Sequence, residues 1–442
     1  MKKLVLIITI LMYVYNSKAQ DYPQLDTVAV EQNKQTLEEY KLIAEKFELN
    51  ITNTDNKKMN KYLSEFYENH QKAFVEDIEA GNFVYDKRYL DYSNEIVKSI
   101  LEANNLSKEN YHILISRNPT LNAYCTIDGY IVLNLGLFYY LQNDAQVAGV
   151  IAHELAHKVL DHSLNDKRDY FINDIATKKE KAIMKEVLKA DNVSRAVQEA
   201  LKKTLYKKRE RNRKQELEAD SAGYALYRNT DYNKYDFIGA LDLYVQYDTI
   251  KPNGLKPDTY KKLYDLPEQP FKNEWFDGED FSMYDYSKYE QKYNKDSLST
   301  HPESQERIKH LYENYPELEG KTEKSKQSEK LKELEEVAFY AIIPTLYDKE
   351  AYGVAVYNIM VAIQNETNPE FFKPWLGKCF DKMYEAQKKY ELNKHLDNIN
   401  PTDQSESYKQ FLSFMWNLSL SELKTITEHY KTNDTSPSPS KK

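Results

Sequence analysis

Within a chain of 442 residues, His153, Glu154 and His157 are the side chains whose types and spacing most directly suggest chemistry. On a helix of about 3.6 residues per turn, His153 and His157 lie one turn apart on the same face, so both imidazoles reach a single ion. Glu154 sits about 100° further round, where its carboxylate meets a water held by that ion rather than the ion itself. Two nitrogen ligands and one general base suit metal-assisted hydrolysis. The other reading of the same residues is a pair of satisfied core histidines beside an exposed glutamate. A metal centre also needs a third protein ligand, and Glu216 and Asp220 stand one helical turn apart further along the chain.

The flanks make the first stretch a helix. Asn143 and Asp144 are good N-cap residues, and no proline interrupts the segment before Leu160. Val147, Ile151 and Leu155 recur at i+4 as an apolar stripe, while Ala145, Ala148, Ala152 and Ala156 form a small-residue face that lets neighbours approach closely.

Further elements follow in a recognisable order. Asn122, Ala123 and Tyr124 precede Gly129, Tyr130, Ile131, Val132, Leu133, Asn134, Leu135, Gly136 and Leu137. His162 and Ser163 extend the first motif, Glu216 to Asp220 read E-x-x-A-D, and Thr300, His301 and Pro302 are followed by Arg307 and Ile308. Over roughly residues 85–310 the chain thereby resembles metallopeptidase family 48, the CAAX-prenyl-protease-like zincins. The resemblance implies a mainly α fold with a small β-sheet, a gluzincin-type metallopeptidase domain followed by a C-terminal helical region. It implies one zinc per subunit held by His153, His157 and Glu216, with Asp220 orienting a ligating histidine and Glu154 as the base. His301 is the candidate for a fourth ligand in a closed state or for a donor to the tetrahedral intermediate, and Arg307 for an ion-pair anchor. A strand over Gly129, Tyr130, Ile131 and Val132 is expected at the sheet edge, binding extended protein or peptide substrates by main-chain pairing. The family expectation is an exported zinc endopeptidase in quality control of exported or outer-membrane proteins, with the C-terminal helices associating with outer-membrane protein machinery. The competing reading is an exported, non-catalytic helical scaffold or chaperone with a structural zinc site; the intact Glu154 argues against it, because a structural site has no use for a base.

The elements that must position these residues are largely helical. Glycine numbers only 11 and proline 14, and charged residues make up 30%. Residues 1–19 begin with Lys2 and Lys3, run apolar from Leu4 to Tyr15 and end on Ser17 and Ala19, the pattern of a secretory signal peptide. The apolar run is too short to span a bilayer, and its removal takes away Lys2, Lys3 and Lys18, turning the net charge from -9 to -12. A periplasmic location is expected. Helices are expected at 32–47, 57–79, 87–103 and 235–247, and strands at 111–116 and 129–134.

Residues 202–214 hold eight basic residues against Glu210, and read as a solvated helical face rather than a nucleic-acid site. Residues 251–300 carry Pro252, Pro257, Pro267 and Pro270 and many aromatics, and read either as a segment packed over the cleft or as simple surface padding. The peptidase domain is placed at 20–316, a polar linker at 317–327, a helical region at 328–430 and a disordered tail at 431–442. The C-terminal helices lack the spacing of tetratricopeptide repeats, which favours an irregular bundle. Cys125 and Cys379 are open to either reading, a bridge in an oxidising compartment or two buried free thiols. No nucleophilic serine or cysteine motif, phosphate-binding loop or dinucleotide fingerprint is present.

Overall fold

The N-terminal part is a helical hairpin, α1 (Val30–Ile51) and α2 (Lys57–Glu79), turned by Asn56, whose side chain caps α2 by accepting from the backbone of Lys58 and Met59. Leu63, Tyr67, Phe74 and Ile78 recur along one face of α2 and bury against a sheet. The computed structural model describes residues 30–108, 111–175, 193–249, 254–277, 304–320, 325–399 and 405–432, with a few single positions between them. Residues 1–19 and His301, for which a signal peptide and a site role are expected, lie outside the described residues. No helix among the described residues is long and apolar enough to cross a membrane.

The sheet comprises β1 (Phe83–Val84), β2 (His112–Ser116), β3 (Ala123–Cys125) and β4 (Tyr130–Asn134), in the order β1-β2-β4-β3. β2 and β4 run parallel, with Leu114 opposite Val132, whereas β1 and β3 pair antiparallel at the two edges. Every residue of β4 is buried, because the strand has helices on both faces. Tyr130 and Val132 point to the α1–α2 hairpin, and Ile131 and Leu133 point to the core around the motif helix. Gly129, Tyr130, Ile131 and Val132 are therefore not an edge, contrary to the expectation. Their outer side is taken by β3 through Cys125 opposite Ile131 and Tyr124 opposite Val132, and the exposed edge is Ala123–Cys125.

On the other face, α3 (Lys87–Ala103) and α4 (Leu135–Tyr140) pack around α5 (Asp144–Val159), the motif helix. Asn143 caps α5 by accepting from the Gln146 N–H. After Asp161, in a left-handed conformation with φ 48°, the chain enters α6 (His162–Tyr170). The long α7 (Val193–Tyr227) returns across α5, followed by α8 (Asp236–Thr249) and, beyond α9 (Pro257–Tyr264), by α10 (Ser304–Asn314).

A second core is built by α12 (Tyr352–Gln364), α13 (Pro369–Lys388), α14 (Glu406–Asn417) and α15 (Leu420–Thr432). In the proline-rich stretch, the described residues 254–277 pack α9 and Trp275 into this second core, and residues 278–300, on which most of the expected cover over the cleft falls, lie outside the described residues. Within the stretch expected as a polar linker, the described residues 317–320 and 325–327 make defined contacts. Leu318 is buried in the first core, the Ser325 N–H donates to Asp236 and its carbonyl accepts from Asn143, and Ser328 donates to Asp144 at the start of α5. The next helix, α11 (Glu329–Asp348), buries Leu331, Leu334 and Val337 in the first core and Ile343 and Leu346 in the second. Cys125 and Cys379 are both free thiols.

Gly136 lies where α4 crosses the Pro119–Thr120 backbone, and an added Cβ would stand 2.0 Å from the Pro119 carbonyl oxygen. Gly136→Ala is expected to destabilise the fold by about 2 kcal/mol, seen as a lower urea midpoint with an unchanged slope.

Candidate metal centre

Small residues bring the two motif helices together. Ala148, Ala152 and Ala156 of α5 and Ala219 of α7 are fully buried, and a Cβ on Gly223 would stand 2.9 Å from the His153 Cα. Only a glycine tolerates that approach. The two helix axes are thus close enough for short acidic side chains of α7 to reach the histidines of α5.

The result is a triangle of donor atoms. The Nε2 atoms of His153 and His157 are 3.1 Å apart, and Glu216 places Oε2 3.6 Å from the first and Oε1 3.6 Å from the second. Ligands about 2.0–2.1 Å from a tetrahedral ion are about 3.3–3.4 Å apart, so these three residues fit such an ion without rearrangement. They are the one group of three such donors found among the described residues, and each keeps part of its side chain at the surface.

Behind the triangle, His153 Nδ1 lies 2.9 Å from Asp220 Oδ1, which leaves Nε2 facing the other donors. Asp220 has no exposed side-chain surface and is clamped by Arg307 of α10, whose Nε donates to Oδ2 at 2.7 Å and Nη2 to Oδ1 at 2.6 Å. Arg307 Nη1 also stands 3.6 Å from Glu216 Oε2. The expected ion-pair role of Arg307 is met on Asp220, and the second partner is a candidate ligand.

Burial opposes every charge in this cluster, and the partners decide each outcome. For Asp220 burial is outweighed by the charge and hydrogen bonds of Arg307 and His153, which hold its carboxyl at about 2. For His153 burial is outweighed by hydrogen bonds to Asp220 and Glu216, which raise the imidazolium to about 10. Burial and the His153 charge push His157 down to about 3. A proton on His153 and a bound cation compensate the same carboxylates, so metal binding displaces that proton. Glu154 is raised, by burial first and by Glu216, while His153, Arg307 and a hydrogen bond from the Cys125 backbone pull it down. A carboxylate poised in this way suits proton transfer.

That last contact ties the base to the edge strand, where Tyr124 is 39% exposed. Ala123 and Tyr124 are too few to show a strand's alternation in sequence, and the sequence signal of Gly223 is a helical glycine one turn past an acidic pair. Glu218 is half exposed and pairs with both His162 and Lys214.

The model of peptidase family M48 matches residues 91–314, half of the chain, and spans every element just described. The chain belongs to peptidase family M48. Its place among M48 peptidases is supported by named relatives over shorter stretches. A β-barrel assembly-enhancing protease of Yersinia pestis is 26% identical over 100 residues, 23% of this chain and 19% of that protein. The protein of that name from Escherichia coli K12 is 29% identical over 83 residues, 19% of this chain and 17% of its own length. The mitochondrial metalloendopeptidase OMA1 of Arabidopsis thaliana is 30% identical over 156 residues, 33% of this chain and 30% of that protein. The alignments thus span less than a third of each relative.

Gly223→Ala is expected to push α7 off α5 and weaken metal binding at least about tenfold, comparable to the loss of a supporting contact, as measured by competition with a chromogenic chelator.

Proposed function

We propose that this M48 peptidase is an exported zinc endopeptidase that cleaves unfolded or extended protein substrates. The observation carrying the reading is the 3.1–3.6 Å triangle of His153, His157 and Glu216 with Glu154 beside it, three donors partly open to solvent with a base at hand. A bound zinc would polarise the scissile carbonyl and acidify a water at that opening.

The chain's own residues supply the rest. Glu154 takes the proton of the attacking water and returns it to the leaving amine, and burial raises its pKa above that of a free glutamate. The outer edge of β3 receives an extended peptide by main-chain pairing, which gives affinity with little demand on sequence. Because the Cys125 backbone also donates to Glu154, a peptide paired along β3 lies next to the base. His301 is retained as the candidate donor to the developing oxyanion.

The signal-peptide pattern of residues 1–19 supports export to a periplasm. The names of the bacterial relatives support a role in quality control during β-barrel assembly, with the second helical core docking substrates or outer-membrane assembly partners.

Glu154→Gln is expected to retain zinc and thermal stability and to lose hydrolysis of casein by about 10²–10⁴-fold or more. Undiminished cleavage by that variant would remove Glu154 from the mechanism.

A further inference from the structure

His153 is held from behind by Asp220, but among the described residues no carboxylate stands behind His157. Its Nδ1 instead lies 3.0 Å from Nδ1 of His162, with the two rings edge to face at 5.0 Å. His162 opens α6, and the left-handed turn at Asp161 folds it back beneath the end of α5, where it is 8% exposed. Its other nitrogen, Nε2, lies 3.4 Å from Glu218 Oε2.

The geometry points to His162 as the positioning residue of His157, with Glu218 behind it. This inference rests on the metal site proposed above. Two ring nitrogens in contact need one N–H and one lone pair. His157 Nε2 faces His153 and Glu216 and keeps its lone pair if it is to bind an ion, so the proton of a neutral His157 is on Nδ1 and is donated to His162. His162 Nδ1 is then the acceptor, and its own proton sits on Nε2, facing Glu218. The reverse arrangement would put an N–H of His157 inside the donor triangle and block it.

Helix α7 thus supplies Glu216 to the triangle, Asp220 behind His153 and Glu218 behind His162. The two supports are unequal. Asp220 is buried and clamped by Arg307, whereas Glu218 is 47% exposed on its side chain and shared with Lys214. Most of the effect on His157 therefore belongs to the His162 ring.

The test uses the full chain carrying His162→Leu, His162→Asn or Glu218→Gln, and measures zinc affinity by chelator competition, the visible spectrum of the cobalt-substituted protein, and thermal unfolding of the metal-free form. His162→Leu removes the acceptor and is expected to weaken zinc binding about 10- to 100-fold and to alter the cobalt spectrum, with metal-free unfolding little changed. His162→Asn offers its amide oxygen to the same N–H and is expected to stay within about threefold of wild type, as is Glu218→Gln. Equal losses in the Leu and Asn variants, or no loss in either, would overturn the assignment. A wild-type chain that binds no zinc would instead overturn the proposed metal site, and this inference with it.

Discussion

A carboxylate with no exposed surface must be compensated where it stands, and Asp220 is the group on which this structure depends. Burying a charge costs several kcal/mol unless partners replace the lost water, and here they come from two other helices. Arg307 of α10 grips both oxygens, and His153 of α5 takes the remaining direction. One side chain on α7 thereby registers three helices far apart in sequence. Removing Arg307 would strip the compensating positive charge from a buried carboxylate.

That registration works because the helices are allowed to touch. The alanine face of α5 and Gly223 of α7 set the separation that lets Glu216 and Asp220 reach the histidines. The start of α5 is fixed independently: Asn143 and Asp144 are tied to Asp236, Tyr92, Ser325 and Ser328. Those last two residues lead into α11, the helix shared by both hydrophobic cores. The peptidase core and the C-terminal helices are therefore joined directly at the N-terminus of the motif helix.

The helical part of the site was legible because a 3.6-residue period makes spacing equivalent to geometry: His153 with His157, and Glu216 with Asp220, each share a face by counting alone. The sheet was less so. The unbroken apolar run Tyr130, Ile131, Val132, Leu133 is the mark of a strand covered on both faces, and reading it as an edge missed that sign. The true edge, Ala123–Cys125, is too short for alternation to show. The polar composition of 317–327 suggested a linker and does not reveal that the Ser325 backbone satisfies the buried side chains of Asn143 and Asp236. Pro257 signalled irregularity, yet it occupies the first position of α9, where proline is favoured. Contacts such as Arg307 on Glu216 join residues that no local pattern connects.

The central claim is that His153, His157 and Glu216 together hold a zinc ion. X-ray absorption at the zinc edge, on the full chain loaded with one equivalent of zinc, tests it most directly. The account predicts two imidazole nitrogens and light oxygen neighbours at about 2.0–2.1 Å, with no sulfur. A sulfur neighbour at about 2.3 Å, which would bring Cys125 into the site, or a shell of oxygens without imidazole, would contradict it.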